Sequence, residues 1–298
     1  MYLENPKKFG MLVEQAHQVA LNVLRPISRK YDKAEHEYPK ELDMLASLLD
    51  GMNEGSPNGA GATSATGGSS NSNTSEIKNG ANLSTVMGII EMCWGDVGLL
   101  LAMPRQGLGN AAIAAVANEE QLERFKGTWA AMAITEPNCG SDSAAIRTTA
   151  VKDGDDSILN GEKIYVTSGA RADSVVVWAT LDKNIGRAAI KSFVVKHGTA
   201  GMQVTRLEKK LGIKASDTAA ITFTNCRVPA ANLLGSPEVD VQKGFAGVMQ
   251  TFDNTRPLVA AMAVGVAKAS LDRTRELLKD NLSVNYSALP MQASFAEA

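Results

Sequence analysis

Aromatic residues make up only 5% of the 298 residues, and cysteine and histidine occur three times each. Cys93, Cys139 and Cys226 are odd in number and far apart, so they supply neither a disulfide framework nor zinc-ligand spacing. His17, His36 and His197 are equally scattered, and no metal site is expected. The chain has no run of about 18 apolar residues, which predicts no membrane span. The opening MYLENPKKFG lacks the apolar stretch of a secretory leader. An excess of basic residues is missing too. The 30 Lys and Arg against 32 Asp and Glu give a net charge of −2, whereas a nucleic-acid binder would carry a basic face. The expectation from these absences is a soluble, reduced, cytoplasmic protein.

What is present is apolar and small. At 44% apolar residues the chain can bury a sizeable core, and its abundant Ala and Gly suit closely packed helices. Val13, Ala16, Ala20 and Val23 recur at helical spacing, and a second run after Pro39 places Leu42, Leu45, Leu48 and Leu49 on one stripe. From Gly55 to Gly80 the chain is almost all Gly, Ser, Asn, Ala and Thr, which predicts a flexible surface loop. Helix is expected again from Leu83 to about Leu101 and from Ala111. Asn118 followed by Glu119, Glu120 and Gln121 reads as a capped helix start. Gly107-Leu108-Gly109 has no preceding strand and no third glycine, so it reads as a helix connector.

After Trp129 the period becomes two. Strands are expected at Ala131–Thr135, Ser174–Thr180, Lys191–Lys196, Met202–Leu207 and Ala219–Phe223, with a hairpin over Ser157–Thr167 turning at Asn160-Gly161. From about Val239 helix returns, with Phe245, Val248, Met249 and Phe252 on one face. The fold class is α+β multidomain. A helical domain spans 1–127 with its loop at 55–80, a β-barrel or sandwich spans 128–236, and a helical domain begins over 237–298.

The stretch Met132 to Asp142 carries the most chemistry. A strand runs into a Pro- and Gly-containing turn ending in Ser141 and Asp142. Such a turn can present backbone N–H groups and hydroxyls to a polar ring edge or a phosphate. From spacing alone it reads first as an ordinary turn that Ser141 and Asp142 cap. Tyr165 and Thr167, two apart on a strand, share a face, leaving Ile164 and Val166 to point into the core. Asp253 and Arg256, three apart on a helix, lie on one side, and Pro257 after them suggests a local bend.

Five segments, in order, resemble signatures of the acyl-CoA dehydrogenase family. They are T-E-P-x-x-G-S-D at Thr135 to Asp142, N-G-x-K-x-Y-V-T at Asn160 to Thr167, K-L-G-I-x-x-S-D-T at Lys210 to Thr218, R-V-P-A-x-N-L-L-G at Arg227 to Gly235, and F-D-x-T-R-P at Phe252 to Pro257. The match covers roughly residues 83–278. The resemblance implies an FAD-dependent oxidoreductase that desaturates an acyl-CoA thioester to a trans-2-enoyl-CoA, as in fatty acid β-oxidation. Its partners would be the acyl-CoA, an electron-transferring flavoprotein and further subunits of a homo- or hetero-oligomer. Met132, Ile134 and Thr135 would contact the flavin ring, with Gly140 and Ser141 following in the same cofactor-binding turn. Ser141 would sit near the FAD pyrophosphate and the substrate's phosphopantetheine. Tyr165, where the family usually has Trp, would lie against the ring, and Thr167 would reach its polar edge. Asp253 and Arg256 would line the acyl-CoA site.

The chain departs from the family pattern at the base. Most members place the catalytic Glu late in the C-terminal helical domain, beyond Ala298. A smaller subset places it near the position of Thr255, where this chain reads Asp253-Asn254-Thr255. The catalytic residue is therefore left unassigned. The family's R-x-x-F-G, which reaches a neighbouring subunit's FAD, is replaced by Asn281-Leu282-Ser283-Val284-Asn285. The resemblance thus implies a C-terminally truncated member with an incomplete helical bundle, a non-catalytic FAD- and CoA-binding subunit of a heteromer, or a member with another carboxylate as base. An oxygen-reacting, acyl-CoA oxidase-like flavoprotein is a further alternative.

Overall fold

The computed structural model describes residues 6–53, 80–105, 107–239 and 245–281. The Gly- and Ser-rich segment, apart from Gly80, and the residues after Asn281 lie outside them.

The chain enters through a 3-10 turn at Pro6–Phe9, then α1 (Gly10–Val19), a π-helical turn at Ala20–Leu24 and α2 (Arg25–Lys33). The wide turn falls just before Pro26, whose ring and missing N–H disturb a regular helical ladder. α3 (Glu41–Asn53) follows Pro39 as expected and buries Leu42, Leu45 and Ala46. The single helix expected over 83–101 is two: α4 (Gly80–Gly95) and α5 (Val97–Leu101). Asp96 divides them. Its extended backbone leaves the helix, and its carboxylate accepts the Leu99 N–H at 2.8 Å and the Ser28 hydroxyl. That is the N-cap geometry expected of an Asp. α6 (Leu108–Val116) has Gly107 as its N-cap, so Leu108 and Gly109, expected in a helix connector, lie in its first turn instead. α7 (Glu119–Arg124) is held by a complete capping box between Asn118 and Gln121.

Seven strands form one sheet: β1 (Ala130–Ala133), β2 (Thr149–Asp153), β3 (Asp156–Thr167), β4 (Ser174–Thr180), β5 (Ile190–Lys196), β6 (Met202–Leu207) and β7 (Thr218–Pro229). The order is β1-β4-β2-β3-β7-β6, with β5 also paired to β4. Alternation assigns the two faces. Ala131, Ala133, Val175, Val177 and Ala179 join residues of β2, β3, β5 and β7 in the cluster around which the sheet curls. Ala130, Ile134, Val176 and Trp178 face the other way and meet Ala112 and Ile113 of α6 and Val248 of α8 (Ala246–Asn281). β4 is buried on both faces, which is why Ser174 to Thr180 reads as a nearly unbroken apolar run.

Two expectations for β3 are corrected. The turn lies at Gly154-Asp155 between β2 and β3, not at Asn160-Gly161. β3 runs straight through Gly161, because β7 pairs with it on both sides and takes up the irregularity as a register shift between Leu159 and Gly161. Gly161 is needed for a close approach. A Cβ there would stand 2.4 Å from Thr148 Oγ1. A second shift falls between Lys163 and Val166, so strict alternation fails there. Val166 is buried as expected, but Ile164 is only half-buried, and the side chain that goes inward with Val166 is Lys163.

The last helix begins at Ala246 rather than near Val239, and Met249 is exposed instead of sharing the buried face of Val248. Pro257 lies inside α8 without ending it. Val248, Thr251, Thr255, Leu258, Ala261, Gly265 and Ala269 form its buried stripe at spacings of three and four. α8 and α4 touch closely at Gly265, where a Cβ would meet the Ile90 carbonyl oxygen at 2.3 Å. Helix propensity alone favours Gly→Ala by about 1 kcal/mol, yet a backbone oxygen cannot swing aside. Gly265→Ala is expected to destabilise the protein by about 1–3 kcal/mol, read as a lower urea midpoint; a raised midpoint would contradict this packing.

Candidate functional site at the β1–β3 edge

β1 ends in a tight turn. Glu136 and Cys139 exchange both backbone hydrogen bonds, at 3.0 and 3.2 Å, around exposed Pro137 and Asn138. Gly140 and Ser141 follow, both exposed, and Asp142 precedes a 3-10 turn at Ser143–Ala145 without a side-chain cap. The turn is therefore closed by its backbone and by Glu136, not by capping from Ser141 or Asp142.

Glu136 is the anchor. Its carboxylate is buried and accepts the Arg147 N–H (2.7 Å), the Thr148 N–H (2.9 Å), the Thr148 hydroxyl (2.6 Å) and the Lys163 ammonium (2.8 Å). Lys163 is 0% exposed and also donates to the Ile134 carbonyl at 3.0 Å. Burial pushes the Lys163 ammonium down to about 8 against the pull of Glu136. Burial by itself would raise the Glu136 carboxyl, but the charge and hydrogen bond of Lys163, with those of Thr148 and Arg147, outweigh it and hold the group below the usual carboxylate range. Neither residue was given a role in the sequence reading; each stands only as a letter of a quoted motif, the E of T-E-P and the K of N-G-x-K. Only the bulge turns Lys163 in, and no local signal marks that bulge.

The expected site residues fall as follows. Met132 is half-buried and packs against the cluster that contains Ile134 and Cys139. The Ile134 side chain is buried in that cluster and its carbonyl is taken by Lys163, so its side chain is not presented outward. The Thr135 carbonyl accepts the Ile164 N–H at 2.9 Å, which sets Thr135 beside the Ile164–Thr167 end of β3. Among the described residues, neither the Thr135 N–H nor the hydroxyls of Thr135 and Thr167 have a hydrogen-bond partner. Tyr165, two residues before Thr167, is in the left-handed region, φ 57°, with 61% of its surface exposed. For an aromatic residue that conformation is an outlier and directs attention to function. Thr135 thus lies beside the Ile164–Thr167 end of β3, with Met132 on the strand before it and Gly140 and Ser141 in the turn after it.

Asp253 and Arg256 are both exposed on α8. No ion pair joins them; the Arg256 guanidinium lies over the Phe252 ring at 4.9 Å, and Phe252 packs against the Ile134–Cys139 cluster. The helix meets the cluster that holds Ile134 and Cys139 through Val248 and Phe252, while Asp253 and Arg256 are exposed. Thr255, where a carboxylate would stand in a subset of the resembled family, is buried and donates its hydroxyl to the Thr251 carbonyl at 3.0 Å.

Beside the turn opens a cavity of about 330 Å³, lined by Ala144, Ala145, Ile146, Arg147, Thr180 and Lys183 among others. Among the described residues the buried Thr180 hydroxyl has no partner. Two cations and an unpartnered donor fit an anionic group. Sequence reading missed these residues, which come from three separate segments.

Residues 131–226 match the profile of the acyl-CoA dehydrogenase middle domain. The acryloyl-CoA reductase (NADH) of Anaerotignum propionicum is 33% identical over 277 residues, covering 88% of this chain and 64% of that protein. The chain thus spans less than two thirds of that relative's length. The solved butyryl-CoA dehydrogenase of Megasphaera elsdenii superposes with a TM-score of 0.77 at 30% identity, over 96% of this chain and 72% of that one. A structure described as the electron transferring flavoprotein of Acidaminococcus fermentans gives 0.76 at 28% identity, over 100% and 76%.

The depressed Glu136 carboxyl fixes the sign of an acid effect. Its stabilisation is complete above the ordinary value of 4.5 and is lost as pH falls through the lower folded value. Glu136→Gln is expected to cost about 3 kcal/mol at neutral pH and to flatten the acid limb below pH 4.5 relative to the unaltered protein, measured by urea unfolding at a series of pH values. Parallel acid limbs would show that the carboxylate is not the group that titrates.

Proposed function

The chain belongs to the acyl-CoA dehydrogenase family, and we propose that it binds FAD at the Thr135–Tyr165–Thr167 edge and an acyl-CoA thioester beside it, for desaturation of the acyl chain. The observation that carries this reading is the set of unpartnered donors around a strained, exposed ring. The Thr135 N–H and hydroxyl and the Thr167 hydroxyl fit the polar edge of a flavin, and Tyr165 fits its flat face. FAD, when bound, supplies the acceptor for the hydride that leaves the β-carbon.

The chain's own residues bind and orient. Ser141, exposed just before the cavity, fits a contact to the pantetheine or a phosphate. Arg147, Lys183 and the Thr180 hydroxyl suit the phosphates of the CoA nucleotide. Arg256, held over Phe252, and Asp253 stand on the helix that packs on this turn and fit the substrate side. Holding the thioester and the ring together in a water-poor cleft lowers the entropic part of the barrier. The structural neighbour described as an electron transferring flavoprotein supports such a flavoprotein as the electron acceptor.

One observation favours a second reading, that of an FAD- and CoA-binding subunit without turnover. Thr255 is buried and bonded within its own helix, so nothing there can take the α-proton. Visible absorbance of the purified chain reconstituted with FAD, before and after anaerobic addition of mixed acyl-CoAs, separates the readings. A flavin band that bleaches supports the dehydrogenase. A band that persists supports the binding subunit. No bound flavin would sink both. Arg147→Ala combined with Lys183→Ala should weaken CoA binding about tenfold or more, since a charged hydrogen bond contributes about 1.5–3 kcal/mol; unchanged affinity by calorimetry would remove the cavity from the substrate site.

A further inference from the structure

The two peptides flanking Thr135 are both held by β3. Lys163 Nζ holds the Ile134 carbonyl at 3.0 Å, and the next residue of β3, Ile164, holds the Thr135 carbonyl at 2.9 Å through its N–H. In a trans peptide the carbonyl and the following N–H point in opposite directions. Fixing the Ile134 carbonyl toward Lys163 therefore turns the Thr135 N–H away from it, and that N–H has no partner among the described residues.

An apolar residue in place of Lys163 would fill the same hole. Buried ion pairs are often no more stabilising than well-packed apolar isosteres. What the isostere cannot do is grip a carbonyl and a carboxylate at once. Glu136 is bound to Lys163, to the Thr148 N–H and hydroxyl and to the Arg147 N–H, so the ammonium is fixed at its far end as well. Gly161 lets Thr148 approach closely enough to complete this shell.

We propose that Lys163 is a positioning residue for the flavin: held by Glu136, it orients the Ile134–Thr135 peptide so that the Thr135 N–H and hydroxyl face the ring edge. This rests on the flavin reading above. Lys163 itself touches neither cofactor nor substrate in this role.

The test compares the full chain with Lys163→Met and with the double variant Glu136→Gln/Lys163→Met, which leaves no unpaired buried charge. Urea unfolding reports stability, and quenching of flavin fluorescence reports FAD affinity. The expected result is that Lys163→Met loses stability and binds FAD at least tenfold more weakly. The double variant should recover much of the stability while affinity stays about tenfold low and the flavin's visible band shifts from its position in the unaltered protein. If Lys163→Met fails to fold, the double variant alone decides. FAD affinity within twofold of the unaltered protein, with an unshifted band, in a folded double variant overturns the positioning role and leaves the flavin reading standing. Failure of the unaltered chain to bind FAD at all overturns both.

Discussion

The buried pair of Glu136 and Lys163 is the constraint on which this end of the sheet depends. Taking two charges out of water carries a penalty of several kcal/mol per ion. It is offset here because almost every polar site is used: the carboxylate accepts three N–H or O–H bonds besides the ammonium, and the ammonium spans a carboxylate and a carbonyl. Removing one partner would leave an uncompensated buried charge, a loss of about 3–5 kcal/mol in such cases. That is a large fraction of the net stability of an ordinary domain. The pair joins the turn after β1, the strand β3 and the segment before β2.

Around the pair, the fold works by removing side-chain bulk. A Cβ at Gly109 would meet the Ala131 carbonyl at 2.2 Å, so α6 lies directly on β1. A Cβ at Gly95 would meet the Ala20 carbonyl at 2.9 Å, which brings α4 against the π-helical turn. With Ala130, Ala131 and Ala133 as its residues, β1 can be covered on both faces by elements at short range. The low aromatic content follows from this. Large rings would hold such layers apart, and close packing of small residues recovers the dispersion energy that rings would supply.

How much of this was legible in the sequence depends on the range of the interaction that decides each feature. The capping box at Asn118 and Gln121 is local, within one turn, and was read correctly. The apolar run Ser174 to Thr180 is a direct record of burial on two faces and gave its strand end to end. The helix break at Asp96 was missed. Its cause is a carboxylate that also binds Ser28, far back in the chain. Asn160-Gly161 carries a turn signature, yet the pairing of β7 with β3 overrode it. The same pairing shifted the register at Tyr165 and sent Lys163 inward, so a period of two counted from Tyr165 put the key cation on the wrong face. Within the candidate site, the Thr135 turn and the Tyr165–Thr167 strand were visible as motifs. The cavity residues Arg147, Thr180 and Lys183 were not, because they converge only in three dimensions.

The strain at this sheet end makes sense of the anchoring. Tyr165, Ser168 and Ile213 all adopt left-handed backbone conformations, at φ 57°, 59° and 56°. Each such residue costs on the order of 1–3 kcal/mol, and the β-branched Ile213 is the least tolerant of the three. Left alone, these segments would relax. They are held from two directions. On one side stands the Glu136–Lys163 clamp, next to the bulge at Tyr165. On the other, Arg171 donates to the carbonyls of Ala215, His36 and Glu37 and pairs with Asp217 at 3.4 Å, while Lys210 binds the Ser216 carbonyl and the Thr218 hydroxyl. The Asp217 carbonyl accepts the Ser168 N–H at 3.0 Å, and its carboxylate accepts the Ala170 N–H at 2.9 Å. Ser168 is thus tied directly to the second network, and Tyr165 follows Lys163 of the first by two residues. On the flavin reading proposed above, that opposition supplies a surface already in place before a flat ligand binds.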